Sequence, residues 1–156
     1  MINEFRRAYS FLSNFFSAPQ TTPYNDGNTL IYPTNEHFFQ AHKTTNWNEH
    51  VIIANATTPA EAKQMGRHVA IREDWKDIRI GVMKIGIEAK FNQSPILRQM
   101  LINTFPHDLC EGNYWHDDVW GNCSCARCLH SPGQNLLGRL LMFYRSTLIK
   151  KKGGIL

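Results

Sequence analysis

The chain has 156 residues, of which 42% are hydrophobic and 19% charged, a balance that suits one globular domain and excludes a disordered chain or two comfortable domains. Seventeen Lys and Arg against thirteen Asp and Glu leave a formal net charge of +4 and a pI near 9.0. That charge suits an anionic ligand, such as a phosphate, a nucleotide or nucleic acid, without demanding one.

The N-terminus lacks the order of a signal peptide, and no apolar run approaches the roughly eighteen residues of a membrane span. Four cysteines without an export signal point to a reducing compartment, where they serve as thiols or metal ligands. The expectation is a cytoplasmic protein with no membrane partner.

Residues 1–31 hold no long helical period. Phe5, Tyr9, Phe11, Phe15 and Phe16 crowd around Ser13 and Asn14, and Asn25-Asp26-Gly27-Asn28 is a turn signal. Thr29 to Tyr32 reads as a short strand, so Tyr24 to Tyr32 is a candidate hairpin. Pro33 stops that strand, and Thr34 or Asn35 is suited to cap a helix that runs on towards Trp47. His50 to Ala56 reads as a further helix. The next is capped by Thr58, carries Pro59 in its first turn and ends at Gly66.

Residues 76–92 form the best amphipathic helix, with Ile80, Met83, Ile87 and Phe91 as its stripe, joined by Val82 and Ile85. Ser94-Pro95 opens another from Ile96 to about Asn103, with Leu97, Met100 and Leu101 inward. Leu109 to Glu111 is strand-like, and residues 112–134 have no period and read as a long loop, a kind that is usually functional or pinned. Asn135 to Ile149 closes the chain as a helix, its apolar surface coming from Leu136, Leu137, Leu140, Leu141 and Phe143. The expected fold is mainly α with a small β element, a single compact domain over residues 1–149 and a basic, solvated tail at 150–156.

Glu36, Gln40 and Lys43 sit at i, i+4 and i+7 and share one helix face, framed by Phe38, Phe39, Ala41 and Trp47. A carboxylate, an amide and an ammonium among aromatics can line a polar pocket; the same pattern also describes a solvated helix edge. Trp75 offers a face for a nucleobase and equally a core anchor at a helix entry. Arg67 can hold a phosphate oxygen or pair with Glu73 or Asp74. Asn135 opens the last helix, where an anion could meet free backbone N–H groups, and a plain N-cap explains it as well.

Cys123-Ser-Cys125-Ala-Arg-Cys128-Leu-His130 puts three thiols and an imidazole within eight residues, a candidate structural zinc site. Cys110 or His116 could replace His130 as the fourth ligand, and a reduced loop without metal is the competing reading. His37, His42, His50, His68 and His107 lack ligand spacing and read as surface or half-buried residues.

FLSNFF (11–16), YPTNEHFFQAHK (32–43), TPAEAKQMGR (58–67), DW (74–75), VMKIGIEAKF (82–91), DDVWG (117–121) and GQNLLGRLLMFYR (133–145) together resemble the NADAR family, which includes YbiA-like N-glycosidases. The cysteine run departs from the simplest pattern of that family. The resemblance implies a compact helical fold and hydrolysis of a bond between ribose C1′ and a base or amine nitrogen. It matches Glu36, Lys43, Trp75 and Asp117 to active-site positions, and Asn14, Gln40, Trp120, Gly121 and Asn135 to positions near the pocket.

Such chemistry builds positive charge on the ribose and must protonate the departing nitrogen. Glu36 and Asp117 are the obvious carboxylate pair. Lys43 either stays charged and orients the substrate or attacks C1′ as a neutral amine, forming a Schiff base. No cofactor is required for this hydrolysis. The expected substrate is ADP-ribose on a nucleobase, guanine in nucleic acid, which makes the enzyme one of ADP-ribosylation reversal. The alternatives are phosphorylated ribosylamine intermediates of riboflavin biosynthesis and a non-catalytic ADP-ribose or nucleic-acid binding module. Nothing in the sequence fixes the oligomeric state.

Overall fold

Thr34 sets the start of the central helix. Its backbone is extended, and its side-chain oxygen accepts the His37 N–H, so α1 (Asn35–Ala41) begins where a threonine cap predicts. The computed structural model describes residues 1–23, 29–128 and 130–152. Around α1 stand β1 (Gln20–Pro23), β2 (Thr29–Tyr32), α2 (Trp47–Ala54), α3 (Pro59–Met65) and α4 (Trp75–Gln93). The strands pair antiparallel, from Gln20 opposite Tyr32 to Pro23 opposite Thr29. The turn expected at 25–28 lies outside the described residues.

These elements belong to a compact unit spanning Asn14–Ser94. Every residue of α1 is buried. Tyr32, Phe38, Ile53, Met83, Ile87 and Phe91 make its densest core, each at most 2% exposed. Burying side chains of this size contributes about 1.5–3 kcal/mol apiece before the entropy of ordering them is counted. At the end of α4, Gln93 donates to Thr21 O at 2.7 Å and accepts from Thr21 N at 2.9 Å, so its amide ties the helix to β1 as a strand neighbour would.

The other unit comprises Met1–Ser13 and Pro95–Leu156. It holds a 3-10 helix (Arg7–Leu12), α5 (Pro95–Asn103), β3 (Gly112–Asn113), β4 (Asn122–Cys123) and α6 (Leu136–Lys152). Ile2 bridges Leu109 in parallel, and β3 pairs with β4 in parallel, Gly112 opposite Asn122 and Asn113 opposite Cys123. Buried Phe5, Phe11, Leu101, Leu109, Leu137 and Leu141 form its core. Arg145 is also buried; its Nη1 donates to Thr104 Oγ1 and to the His107 carbonyl, which offsets part of the cost of burying the charge.

The fold is mainly helical with a small β element, as expected, and several details differ. The central helix stops at Ala41 rather than running on, and α2 starts earlier than expected, at Trp47. Asn46 accounts for that start: its side chain accepts the Asn48 and Glu49 N–H groups and caps the helix. Ile80, Ile85, Met100 and Phe143 are exposed, at 42%, 51%, 36% and 60%. On α4 the buried line is Val82, Met83, Gly86, Ile87, Lys90 and Phe91, so the inward face is rotated from the one read along the isoleucines. His37 and His50, expected near the surface, are each 1% exposed. Thr34 Oγ1 and the Ala56 carbonyl meet both ring nitrogens of His37, and the Tyr32 hydroxyl meets His50 Nε2. Residues 112–134, read as loop, carry both short strands, and the lysines expected in a tail lie on α6 as far as Lys152. Among the described residues no helix is long and apolar enough to cross a membrane.

Candidate functional site

Within Asn14–Ser94, Glu36 and Gln40 of the expected polar line share one turn of α1, while Lys43 lies past the end of the helix. Glu36 is buried in the first turn of α1, and one turn later Gln40 Nε2 donates to its Oε1 at 2.7 Å. The Glu36 N–H donates to Asn14 O at 3.0 Å, which fixes the start of the helix against the FLSNFF segment. Gln40 is itself buried, and its Oε1 has no hydrogen-bond partner among the described residues.

Lys43 lies two residues beyond α1, where its N–H still bonds the Gln40 carbonyl. Its Nζ donates to Gly66 O at 3.4 Å. Burial holds its pKa below the ordinary lysine value; Glu36 opposes that shift, while Lys63 and Arg67 add to it. The result is an ammonium whose proton is held less tightly than in water, within electrostatic range of the buried Glu36 carboxylate.

Gly66 closes α3 with an ordinary right-handed backbone, so a left-handed cap is not what requires glycine there. Space is. A β-carbon at 66 would stand 2.1 Å from Gln40 Oε1.

Asn14 accepts from Asn35 Nδ2 at 2.8 Å and approaches Met83 Sδ at 3.4 Å. Asn35, fully buried, also accepts from Gln20 Nε2, and Gly86 leaves room for its carbonyl oxygen. Sequence reasoning took Asn35 only as a cap candidate. What spacing along the sequence does not report is that this helix is buried on every side, so an amide in its first turn must find several partners.

Trp75 is 8% exposed and lies against Phe39 with ring centroids 5.0 Å apart, the arrangement of a core anchor. Arg67 is exposed, and its alternative partner Asp74 is taken by Arg72 through two hydrogen bonds.

Asp117, Trp120, Gly121 and Asn135 lie in the unit Met1–Ser13 with Pro95–Leu156. Asp117 Oδ1 accepts the N–H groups of Val119 and Trp120 at 3.2 and 2.9 Å, while Asn113 holds the Asp117 backbone from both sides. Gly121 runs so close to Glu111 that a β-carbon would stand 2.3 Å from its carbonyl oxygen.

Asn135 adopts a left-handed backbone, φ 49°, and its side chain spans Leu109 O and Glu111 N. Neither earlier reading of this residue fits. Its amide does not cap α6, and the Leu136 and Leu137 N–H groups already bond the carbonyls of Val119 and Trp120, leaving those donors closed to an anion.

The cysteine loop does assemble ligands, with one exchange. His116, Cys123, Cys125 and Cys128 place their ligand atoms within 4.8 Å of one another. His130, the fourth ligand expected from the sequence, is exposed and outside this cluster. The positive φ of His116, 66°, turns the chain so that an imidazole upstream of the thiols meets them, which spacing along the sequence does not report.

The family model for the NADAR domain matches residues 2–149. The chain belongs to the NADAR family. N-glycosidase YbiA of Escherichia coli strain K12 is 35% identical over 146 residues, which cover 92% of this chain and 84% of that protein. The NMR structure of E. coli YbiA has a TM-score of 0.77 at 32% identity, covering 97% of this chain and 89% of that one. Two longer proteins are also similar. The chloroplastic riboflavin biosynthesis protein PYRR of Zea mays is 33% identical over 90% of this chain and 24% of its own length. Riboflavin biosynthesis protein VVA0006 of Vibrio vulnificus is 30% identical over 90% of this chain and 36% of its own length.

Proposed function

We propose that this NADAR protein is an N-glycosidase that hydrolyses the bond between ribose C1′ and a base or amine nitrogen. One observation carries the reading: the buried Glu36 carboxylate, oriented by Gln40 and within electrostatic range of a lysine whose charge is disfavoured by burial. Family membership and the similarity to proteins named N-glycosidase YbiA support it.

In the proposed reaction Glu36 stabilises positive charge building on the ribose and takes a proton from the attacking water. The departing nitrogen must gain a proton from a second acidic group, the role that the family resemblance gives Asp117. Lys43 acts in one of two ways. As an ammonium it orients the substrate's phosphate. As a free amine it attacks C1′ of the ring-opened sugar, expels the nitrogen leaving group and forms an imine that water then hydrolyses. Its lowered pKa favours the second role. The hydrolysis uses no cofactor, and a structural zinc ion in the cysteine loop would stand outside this chemistry.

The preferred substrate is ADP-ribose attached to a nucleobase, guanine in nucleic acid. The basic charge and the exposed Arg67 support a polyanionic partner. A second reading, a phosphorylated ribosylamine, is favoured by similarity to two proteins named for riboflavin biosynthesis.

The test incubates the protein and its Glu36→Gln variant with DNA carrying ADP-ribosylated guanine, and separately with a phosphorylated ribosylaminopyrimidine. Mass spectrometry detects released sugar phosphate or ADP-ribose. Release by the wild type and not by the variant is expected and selects the substrate. Binding to either compound without release would replace the enzyme with a binding module, and absence of both would end the proposal.

A further inference from the structure

We propose that His116, Cys123, Cys125 and Cys128 form a closed, tetrahedral structural zinc site that pins residues 113–135. The inference rests on side-chain geometry and is independent of the reaction proposed above.

Three thiolates and an imidazole are a donor set that selects zinc and leaves no coordination position for water. A tetrahedral zinc site with normal bond lengths sets ligand atoms about 3.6–3.8 Å apart. His116 Nδ1 stands 3.1 Å from Cys125 Sγ and 3.4 Å from Cys128 Sγ, so a small expansion around an ion suffices. All four ligand atoms fall within 4.8 Å.

The surroundings of Cys123 fit charged sulfur. Cys123 Sγ faces the backbone N–H groups of His116 and Cys125 at 3.4 and 3.5 Å, donors that stabilise a thiolate. Between the other thiols the chain turns tightly, with Cys128 N bonded to Cys125 O and Ser131 N to Cys128 O. Cys123 and Cys128 are buried. Arg127 Nη2 lies 2.6 Å from His116 Nε2. Metal at Nδ1 places the imidazole proton on Nε2, and the exposed Arg127 side chain then turns to solvent.

The consequences reach along the loop. Cys123 lies in β4 opposite Asn113, the residue that holds the Asp117 backbone. Asp118 accepts the Cys123 N–H, and Asn122 accepts the Gly133 N–H just ahead of α6. An ion at the cluster therefore fixes the frame around Asp117 and the entry to α6.

The experiment uses the full chain purified without a metal-affinity step and dialysed against a weak chelator. Elemental analysis is expected to give one zinc per chain. Thiol titration of the folded protein is expected to find Cys123, Cys125 and Cys128 protected until a strong chelator is added. Cobalt exchanged for zinc should show the intense visible bands of a tetrahedral, sulfur-rich site. His116→Ala should weaken zinc binding at least tenfold, and His130→Ala should leave it unchanged. A folded protein that takes up neither zinc nor cobalt, with all its thiols reactive, would overturn the proposal. So would loss of binding in His130→Ala with retention in His116→Ala. If the His116 variant fails to fold, the cobalt spectrum and thiol protection of the wild type still decide.

Discussion

Gly66 is glycine because Gln40 occupies the space where its β-carbon would be, 2.1 Å from the amide oxygen. Two segments 26 positions apart in sequence thereby meet at the residue that orients Glu36.

The contact predicts a coupled pair. Gly66→Ala pushes the buried Gln40 amide off its site and should cost about 1–3 kcal/mol by overpacking. Gln40→Ala removes the obstruction, so in that background the alanine at 66 should cost much less. A double-mutant cycle read by denaturant unfolding should give a coupling of about 1–2 kcal/mol. Additive effects would show that Gly66 is not selected by Gln40.

The buried histidines predict acid sensitivity. Burial, with His42 nearby, lowers the His50 pKa to about 4, and burial also lowers those of His37 and His42. Below pH 6.5 the unfolded chain binds protons that the folded chain excludes, so the stability these groups contribute is present above 6.5 and is lost as pH falls towards 4. The thermal midpoint should drop steadily across that window. His50→Gln, whose amide can still meet the Tyr32 hydroxyl, should flatten part of the decline, the remainder belonging to His37 and His42. An unchanged slope in the variant would remove His50 from the account.

Burial on α4 gives a third prediction. Phe91→Ala, at a site with no solvent exposure, should cost about 3–5 kcal/mol, whereas Ile85→Ser should fall within about 0.5 kcal/mol. Equal losses at both positions would mean that Ile85 is buried in solution.

That contrast shows where the sequence is legible. Local chemistry reads well: the Thr34 and Thr58 caps, Pro59 in a first turn and the Thr29–Tyr32 strand all stand where short-range rules put them. The side of α4 that faces inward reads less well. Isoleucines lie on more than one side of this helix, and the inward line includes Gly86, beside which Asn35 takes the room, and Lys90. At the candidate site, Glu36 and Gln40 one turn apart are visible from spacing. Lys43 reaching Gly66, Asn35 joining Asn14 to Gln20, and His116 joining the thiols are contacts across folded loops, which helical periodicity cannot report.

Lys43 supplies the last prediction. A lysine acting only through its charge is replaceable by arginine, since both remain cationic, whereas an amine that attacks C1′ is not. Burial works against the Lys43 ammonium, which is the direction that the proposed covalent role needs. Lys43→Arg is therefore expected to lose at least about a hundredfold in turnover, close to the loss in Glu36→Gln, with an unchanged thermal midpoint. Borohydride added during turnover should leave a sugar adduct on Lys43 of the wild type, located by peptide mass spectrometry. An arginine variant that retains most of its activity, with no adduct in the wild type, would assign Lys43 to substrate orientation and leave Glu36 and water to complete the hydrolysis.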